Sequence, residues 1–349
     1  MKQDVKHLSA PAVKERIYLY DNVKCLAIFL VVIGHAINFL TDYDGNNLEK
    51  SMYSLIYAFH MPLFIFISGL FVKPMNEETK FPKYKVLSFV LIGIVLRIMT
   101  SIVNLLLGTS PVYAVLDIYD TYAWFMWAMA VFTALTWLFR GLDKRLVLGL
   151  SFLVGCMAGY DSNLGDQFAL MRIVVFFPIF LIGYYLDPKT LHIMLNKNWM
   201  KILAAVFIVA MILLFVFNGK FALFMRPMFT GRNRFTALDN YYVFGPFFRI
   251  LSYLIAAAFG VAILCLMPNK NLGYLTTIGA RTLQIYFWHK IFLIAAEEFH
   301  IYEKIEHFTG GTIATLIYIL LAVGLTFFCS LKFFSFPTKQ LLAIGKAKK

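Results

Sequence analysis

Between Tyr20 and Leu40 the chain reads YDNVKCLAIFLVVIGHAINFL, and stretches of this kind recur along most of its length. Apolar runs of roughly 16 to 23 residues, at about 1.5 Å rise per residue, match a hydrocarbon layer about 30 Å thick. Lipid offers no partner to backbone N–H and C=O groups, so uninterrupted runs of this length are read as helices. Ten are found, near 22–41, 54–72, 86–107, 122–139, 145–160, 168–186, 201–217, 245–267, 274–295 and 312–334. The expected fold is all-α, a polytopic membrane bundle of about ten transmembrane helices. Composition agrees: 60% of the 349 residues are hydrophobic and 15% charged. Together with a mean hydropathy of +0.73, this excludes an ordinary soluble domain.

Charge orients the bundle. With the amino terminus in the cytoplasm, 21 of the 32 Lys and Arg fall in the tail, the alternate loops and the helix flanks of the inner side, as the positive-inside bias requires. Residues 1–20 are then a cytoplasmic N-terminal tail and 336–349 a basic cytoplasmic C-terminal tail. The first residues lack the unbroken apolar core and cleavage site of a signal peptide. Lys80 is expected inside, and the loop holding Asp117 outside. The net charge of +13 is mostly this topology signal and calls for no nucleic-acid partner.

One external loop, 218–244, breaks the bias with Lys220, Arg226, Arg232 and Arg234 set among aromatic residues. Rings that stack on sugar faces and guanidinium groups that pair with uronate or phosphate oxygens would suit a glycan, and the same groups would suit an anionic lipid headgroup. The four cysteines, Cys25, Cys156, Cys265 and Cys329, lie in apolar runs without metal-ligand or disulfide spacing, so neither a zinc site nor a disulfide framework is expected.

Ionisable side chains inside a bilayer are costly, which makes them functional candidates. The expected spans hold Lys24, His35, His60, Arg97, Arg172, Arg249, Arg281, His289 and Lys290, with no Asp or Glu comparably deep. A cationic interior suits an anionic ligand better than a relay of paired acids and bases. Lys24 and His35 are eleven positions apart, so they share a helix face about 16 Å apart along the axis, and Asp21 points within roughly 40° of that face. His35, His60 and His289 lie at similar distances from the outer ends of their segments and can meet at one level. Thr282 shares a face with His289. A membrane histidine can also simply hydrogen-bond a neighbouring helix, and Arg172 and Lys290 are expected to snorkel toward an interface. Arg97 and Arg281 are too central for that.

The segments YDNVKCLAIFLVVIGHAI, YAFHMPLFIFISGLFV and IGARTLQIYFWHKIFL resemble acyltransferase family 3, membrane-bound O-acyltransferases that mostly modify bacterial surface glycans. The resemblance covers 16–335. Lys24 and His35 match its first signature, a basic residue ahead of a membrane histidine. Phe59, His60, Met61, Pro62, Phe64, Phe66, Ser68 and Gly69 match the second, with Phe64-Ile65-Phe66 where the family has Phe-Phe. Gly279, Thr282, Leu283, Tyr286 and His289 match the third.

The resemblance implies a transmembrane acyltransferase domain over 21–335, of the stand-alone form, in a bacterial plasma (inner) membrane. An acyl group, expected to be acetyl, would pass from cytoplasmic acetyl-CoA or another acyl-CoA to a hydroxyl of a surface glycan or its lipid-linked precursor, with no metal or prosthetic group. Such chemistry needs a base for the hydroxyl proton, and an imidazole titrating near neutrality suits it, so His35 takes that role. Lys24, held by Asp21, and Arg97 are the expected anchors for the donor phosphates. Ser68, Arg281 and Tyr286 are candidates for stabilising the oxyanion. His60 and His289 would orient the acceptor or assist proton transfer, and Arg226, Arg232 and Arg234 would face the glycan. Two rival readings are a glycan or lipid-linked sugar exporter and an O-succinyltransferase of the same fold. A conduit has no use for a base set at a fixed reach from a phosphate anchor.

Overall fold

The structure is a computed structural model that describes residues 16–42, 47–109, 123–165 and 167–344. Residues 1–15, the expected external loop with Asp117, and residues 345–349 lie outside the described residues.

All regular structure among the described residues is helical. The first half contains α1 (Tyr18–Asp42), α2 (Asn47–Tyr57), α3 (His60–Leu70), α4 (Lys83–Leu106), α5 (Trp124–Leu138), α6 (Lys144–Met157), α7 (Leu170–Tyr185) and α8 (Pro188–Leu195). The second half contains α9 (Asn198–Phe217), α10 (Gly219–Phe229), α11 (Gly245–Leu266), α12 (Tyr274–Ala280), α13 (Thr282–Glu298), α14 (Ile301–Thr309), α15 (Gly311–Cys329) and α16 (Thr338–Leu342). Among the described residues, six stretches are long and apolar enough to cross a membrane: Tyr18–Asn38, Glu49–Leu70, Lys83–Leu106, Asn198–Phe217, Phe235–Leu266 and Gly311–Cys329. The count is seven if α7 and α8, bent by 89° at their junction, form one span. The other expected segments are helical but shorter, with 15 residues in α5, 14 in α6 and 17 in α13. A polytopic helical bundle holds; among the described residues length and composition mark six or seven spans, and the expected count of about ten is not confirmed.

Packing sorts the helices into a centre and a rim. Buried residues make up 67% of the span in α1 and 72% of that in α2 and α3, against 17% in α9. The apolar side chains of α9, among them Ile202, Leu203, Val206 and Val209, point outward, as they do on a helix facing lipid. Helices α3 and α7 cross where their backbones touch. A Cβ on Gly69 would meet the carbonyl oxygen of Phe180, and one on Gly183 would meet that of Phe66. Small residues permit this approach, and close packing replaces the hydrophobic drive that lipid cannot supply between helices.

Two segments expected to be single helices are interrupted. The first break lies at Ala58–Phe59 and has its cause in the sequence. Pro62 has no N–H for the carbonyl of Ala58, so the regular ladder cannot run through. The Phe59 N–H instead bonds Ile56 O at 3.3 Å, and the same carbonyl accepts from His60 Nδ1 at 2.7 Å. The second break lies at Arg281, between α12 and α13. The expected external loop is also largely ordered, as α10 followed by 3-10 turns over Phe235–Phe244.

Polar anchors fix the ends of several helices. Asn22 on α1 donates to the carbonyls of Pro268 and Lys270 at 2.9 Å each and accepts from Thr276 Oγ1 at 2.7 Å, tying α1 to α12. At the start of α6, Asp143 accepts from the N–H groups of Arg145 and Leu146, which hold its carboxyl below the usual carboxylate range.

Candidate active site

Two cavities occupy opposite halves of the bundle and share a wall of Val31, Met61 and Tyr286. The larger, about 430 Å³, lies at the half expected to be cytoplasmic. Its lining is mostly apolar, with Phe64, Phe89, Phe125 and Met129, and it carries Lys24 and Lys85 with Ser68 and Thr282. The smaller, about 120 Å³, lies in the outer half and is polar. His35, Asn38, Tyr53, Tyr57, His60, Trp124, Arg172, Arg232 and Lys290 face it.

The key contact of the outer half joins α1 to α13. His35 Nδ1 and His289 Nε2 are 2.8 Å apart, with ring centroids 5.0 Å apart and planes within 17° of parallel. A centroid separation that large at so short a nitrogen distance means the rings meet edge to edge, as a hydrogen bond requires. The tautomers follow from the next partner along. His289 Nδ1 is 3.0 Å from Ile285 O, and a carbonyl only accepts, so His289 carries its proton on Nδ1. Its Nε2 then accepts, and His35 donates from Nδ1. That leaves the lone pair on His35 Nε2, on a ring that lines the outer cavity. His60 is fixed in the same way, since its Nδ1 donates to Ile56 O. His289 is 1% exposed and stands behind His35 rather than in the lining.

At the inner end Lys24 Nζ pairs with Asp21 Oδ1 at 2.8 Å, and Asp21 Oδ2 takes Arg16 Nη2 at 2.6 Å. Lys24 also lies over the ring of Phe71, 5.8 Å from its centroid. A Cβ on Gly279 would strike the carbonyl oxygen of Asp21, so glycine there lets α12 press against the base of α1 and fix this pair. Ser68 lines the inner cavity, though its hydroxyl donates back to Phe64 O at 2.8 Å. Tyr286 borders both cavities and is buried.

Not every expected residue arrives. Arg97 is buried on α4 but lines neither cavity. Arg281 also lies away from both; its Nη1 donates to Ser330 O at 2.8 Å and ties the break between α12 and α13 to the end of α15. Of the outer basic residues, Arg232 enters the lining, Arg226 stacks 4.6 Å from the centroid of Tyr53, and Arg234 is exposed away from it. Arg249 is wholly buried and fastens the outer segment, donating to Met228 O at 2.7 Å near the end of α10.

Arg172 and Lys290, expected to snorkel, both line the outer cavity: Arg172 is 8% exposed and lies over the Trp124 ring at 4.9 Å, while Lys290 reaches along α13 to pair with Glu297 at 3.6 Å. Glu49, at the outer start of α2 and the first residue of its span, is 4% exposed and accepts from Thr315 Oγ1 at 2.8 Å. Sequence reasoning passed over Lys85, read as a topology charge, and the pair Tyr53 and Tyr57, whose four-residue spacing places both on one face of α2.

No curated protein and no solved structure matches the chain. A family model described as an acyltransferase domain does match, over residues 17–333, nearly the whole length and every residue that lines the two cavities except Leu342 of α16. With histidines, cations and helical bundle all inside the matched region, the chain belongs to acyltransferase family 3.

Proposed function

We propose that the chain is a membrane O-acyltransferase that takes an acyl group, acetyl in the first instance, from cytoplasmic acyl-CoA and places it on a hydroxyl of a surface glycan or lipid-linked glycan, in a bacterial plasma membrane. The observation that supports this reading best is the hydrogen-bond chain Ile285–His289–His35, which leaves the Nε2 lone pair on a ring that lines a cavity next to a second, cation-mouthed one. Lys24 and Lys85 suit the phosphates of a coenzyme A donor. The apolar chamber beyond them suits the thin arm that carries the thioester, and the eleven-residue offset from Lys24 to His35 spans about 16 Å along α1.

The chemistry then balances within the site. His35 Nε2 takes the proton of the acceptor hydroxyl as its oxygen attacks the thioester carbonyl, forming the new C–O bond. Tyr286, on the shared wall, is placed to meet the oxyanion of the tetrahedral intermediate. Collapse breaks the C–S bond, and the departing thiolate takes the proton back from His35. His289 keeps His35 in the tautomer that can act as base, the part played by the third member of an acid–base triad.

NMR of surface glycans from cells carrying wild type, His35→Ala or no gene tests the reading. Wild-type cells should show an O-acyl signal missing from the other two, with His35→Ala as abundant as the wild-type protein. An O-acyl signal undiminished in His35→Ala would remove His35 from the mechanism, and unchanged acylation without the gene would sink the whole proposal.

A further inference from the structure

His60 holds a place in the outer cavity that the proposed reaction leaves without a task. It is the first residue of α3, directly after the break at Ala58–Phe59, and its ring lines the same cavity that His35 lines from α1. Two contacts fix that ring. Nδ1 donates to Ile56 O at 2.7 Å, and Tyr57 meets the ring edge-on with centroids 4.6 Å apart. Tyr57 is itself stacked on Tyr53, with 3.9 Å between centroids, so α2 holds the plane of His60 from the side.

A neutral imidazole has one donor and one acceptor nitrogen. Since Nδ1 of His60 donates to a carbonyl, its acceptor is Nε2, and the relay through His289 makes Nε2 the acceptor of His35 as well. Neither ring makes a further hydrogen bond among the described residues. One cavity is therefore lined by two imidazoles, from two helices, each with a nitrogen that can accept. Acyl transfer moves a single proton and needs a single base, the part that His35 takes with His289 behind it. The acceptor nitrogen of His60 is then left for a group that donates and keeps its proton. A buried polar atom without a partner is costly, so a ligand that supplies the partner is favoured over one that does not.

The chemical class of that ligand follows. Carboxylate, phosphate, ether and carbonyl oxygens have no proton to give, whereas a hydroxyl has one. At about 120 Å³ the cavity is well below the roughly 300–1,000 Å³ of pockets that enclose a whole ligand, so one edge of the acceptor enters it. We infer that this edge carries two neighbouring hydroxyls, and that His60 is the residue that selects for the second. The first hydroxyl gives its proton to His35 Nε2 as its oxygen attacks the thioester carbonyl. The second donates to His60 Nε2, makes and breaks no covalent bond, and fixes which of the two oxygens faces the thioester. The acceptor is thus a diol rather than an isolated alcohol. The inference rests on the acyl-transfer reading above.

The test uses the full chain in lipid nanodiscs with acetyl-CoA and three small alcohols: cis-cyclohexane-1,2-diol, cis-2-methoxycyclohexanol and cyclohexanol. The methyl ether fills the place of the second hydroxyl but has no proton to donate. Acetate esters are read by gas chromatography with mass detection. The diol should exceed both mono-alcohols in kcat/KM by about tenfold, equivalent to roughly 1.4 kcal/mol and beyond the roughly twofold that two hydroxyls give by number. His60→Asn keeps an N–H donor where Nδ1 stood, for Ile56 O, but has no acceptor in the place of Nε2, so the ratio should fall toward one. His60→Gln can set its amide oxygen near the Nε2 position and should keep more of the ratio. If His60→Asn does not accumulate, the wild-type comparison of diol with methyl ether still decides. Equal use of the three alcohols, no ester from any of them, or a ratio that survives His60→Asn would overturn the inference, the last even where all three rates fall together, as they would on loss of a second base. The acyl-transfer reading stands or falls separately, on the glycan spectra of cells with and without the gene.

Discussion

His289 and His35 divide a task that one imidazole cannot do alone. A neutral histidine has one donor and one acceptor nitrogen, and a base must present the acceptor to its substrate. Because Ile285 O accepts from His289 Nδ1, His289 Nε2 accepts from His35, and only His35 Nε2 is left for a hydroxyl. His289→Ala should lower kcat by roughly 10² to 10⁴, the usual worth of a positioned acid–base group, with the acceptor KM nearly unchanged. His289→Gln, whose amide oxygen can accept from His35, should recover part of the loss. Equal defects in the two variants would mean that His289 only fills space. Lys24 should behave differently, since it would hold the donor in ground and transition states alike. Lys24→Ala should raise the KM for acetyl-CoA, Lys24→Arg should raise it less, and an unchanged KM in both would remove Lys24 from the donor site. Lys24, Asp21 and His35 were legible in the sequence because all three sit on one helix, where spacing alone fixes the shared face. Arg172 and Lys290 were not, because hydropathy gives depth but not the rotation of one helix against its neighbours. The same blindness runs the other way for Arg97 and Arg281, which are deep in sequence yet turned from both cavities.

Elements that the family signatures mark by glycine and proline have backbone reasons to be there. Pro62 leaves the carbonyl of Ala58 without its helical donor, and at the break before it Ile56 O accepts from Nδ1 of His60, whose ring lines the cavity. Gly69 is where α3 meets α7, and Gly279 where α12 meets α1 beside Asp21. The sequence pattern placed these helices but described 54–72 and 274–295 as unbroken, since apolar content runs straight through both junctions. Gly69→Ala would set a methyl against the carbonyl oxygen of Phe180, and neither backbone can yield without moving its helix. Overpacking of this kind costs about 1–3 kcal/mol. Gly324 on α15 has nothing within 4 Å of where its Cβ would be, so the same substitution there should be neutral or stabilising by up to about 1 kcal/mol, through helix propensity. Thermal unfolding in detergent should therefore rank Gly324→Ala at or above wild type and Gly69→Ala below it. A Gly69→Ala midpoint equal to wild type would show that the crossing is looser than the backbone contact implies.

For the molecule as a whole, everything about donor and acceptor depends on which end of the bundle faces the cytoplasm. The distribution of Lys and Arg gives the expected orientation, and the two cavities fit it in a way that hydropathy did not use. The apolar cavity with Lys24 and Lys85 lies at the end where the charge bias puts the cytoplasm, the compartment in which acyl-CoA is made, and the polar one lies beneath α10 and the 3-10 turns that follow it. Lys80, before α4, and Lys220, in the first turn of α10, are both exposed and sit at opposite ends of this arrangement. Of the native thiols Cys25, Cys265 and Cys329 are buried, so Cys156→Ser removes the one that is partly exposed. In that background, a cysteine at Lys220 in intact cells should react with a membrane-impermeant maleimide, and one at Lys80 only after the membrane is opened. Labelling in the reverse order would put Lys24 and Lys85 on the outer face, away from cytoplasmic acyl-CoA. The two cavities would then have to exchange roles, and the cationic pocket around His35 would become the only entry left for a phosphate-bearing donor.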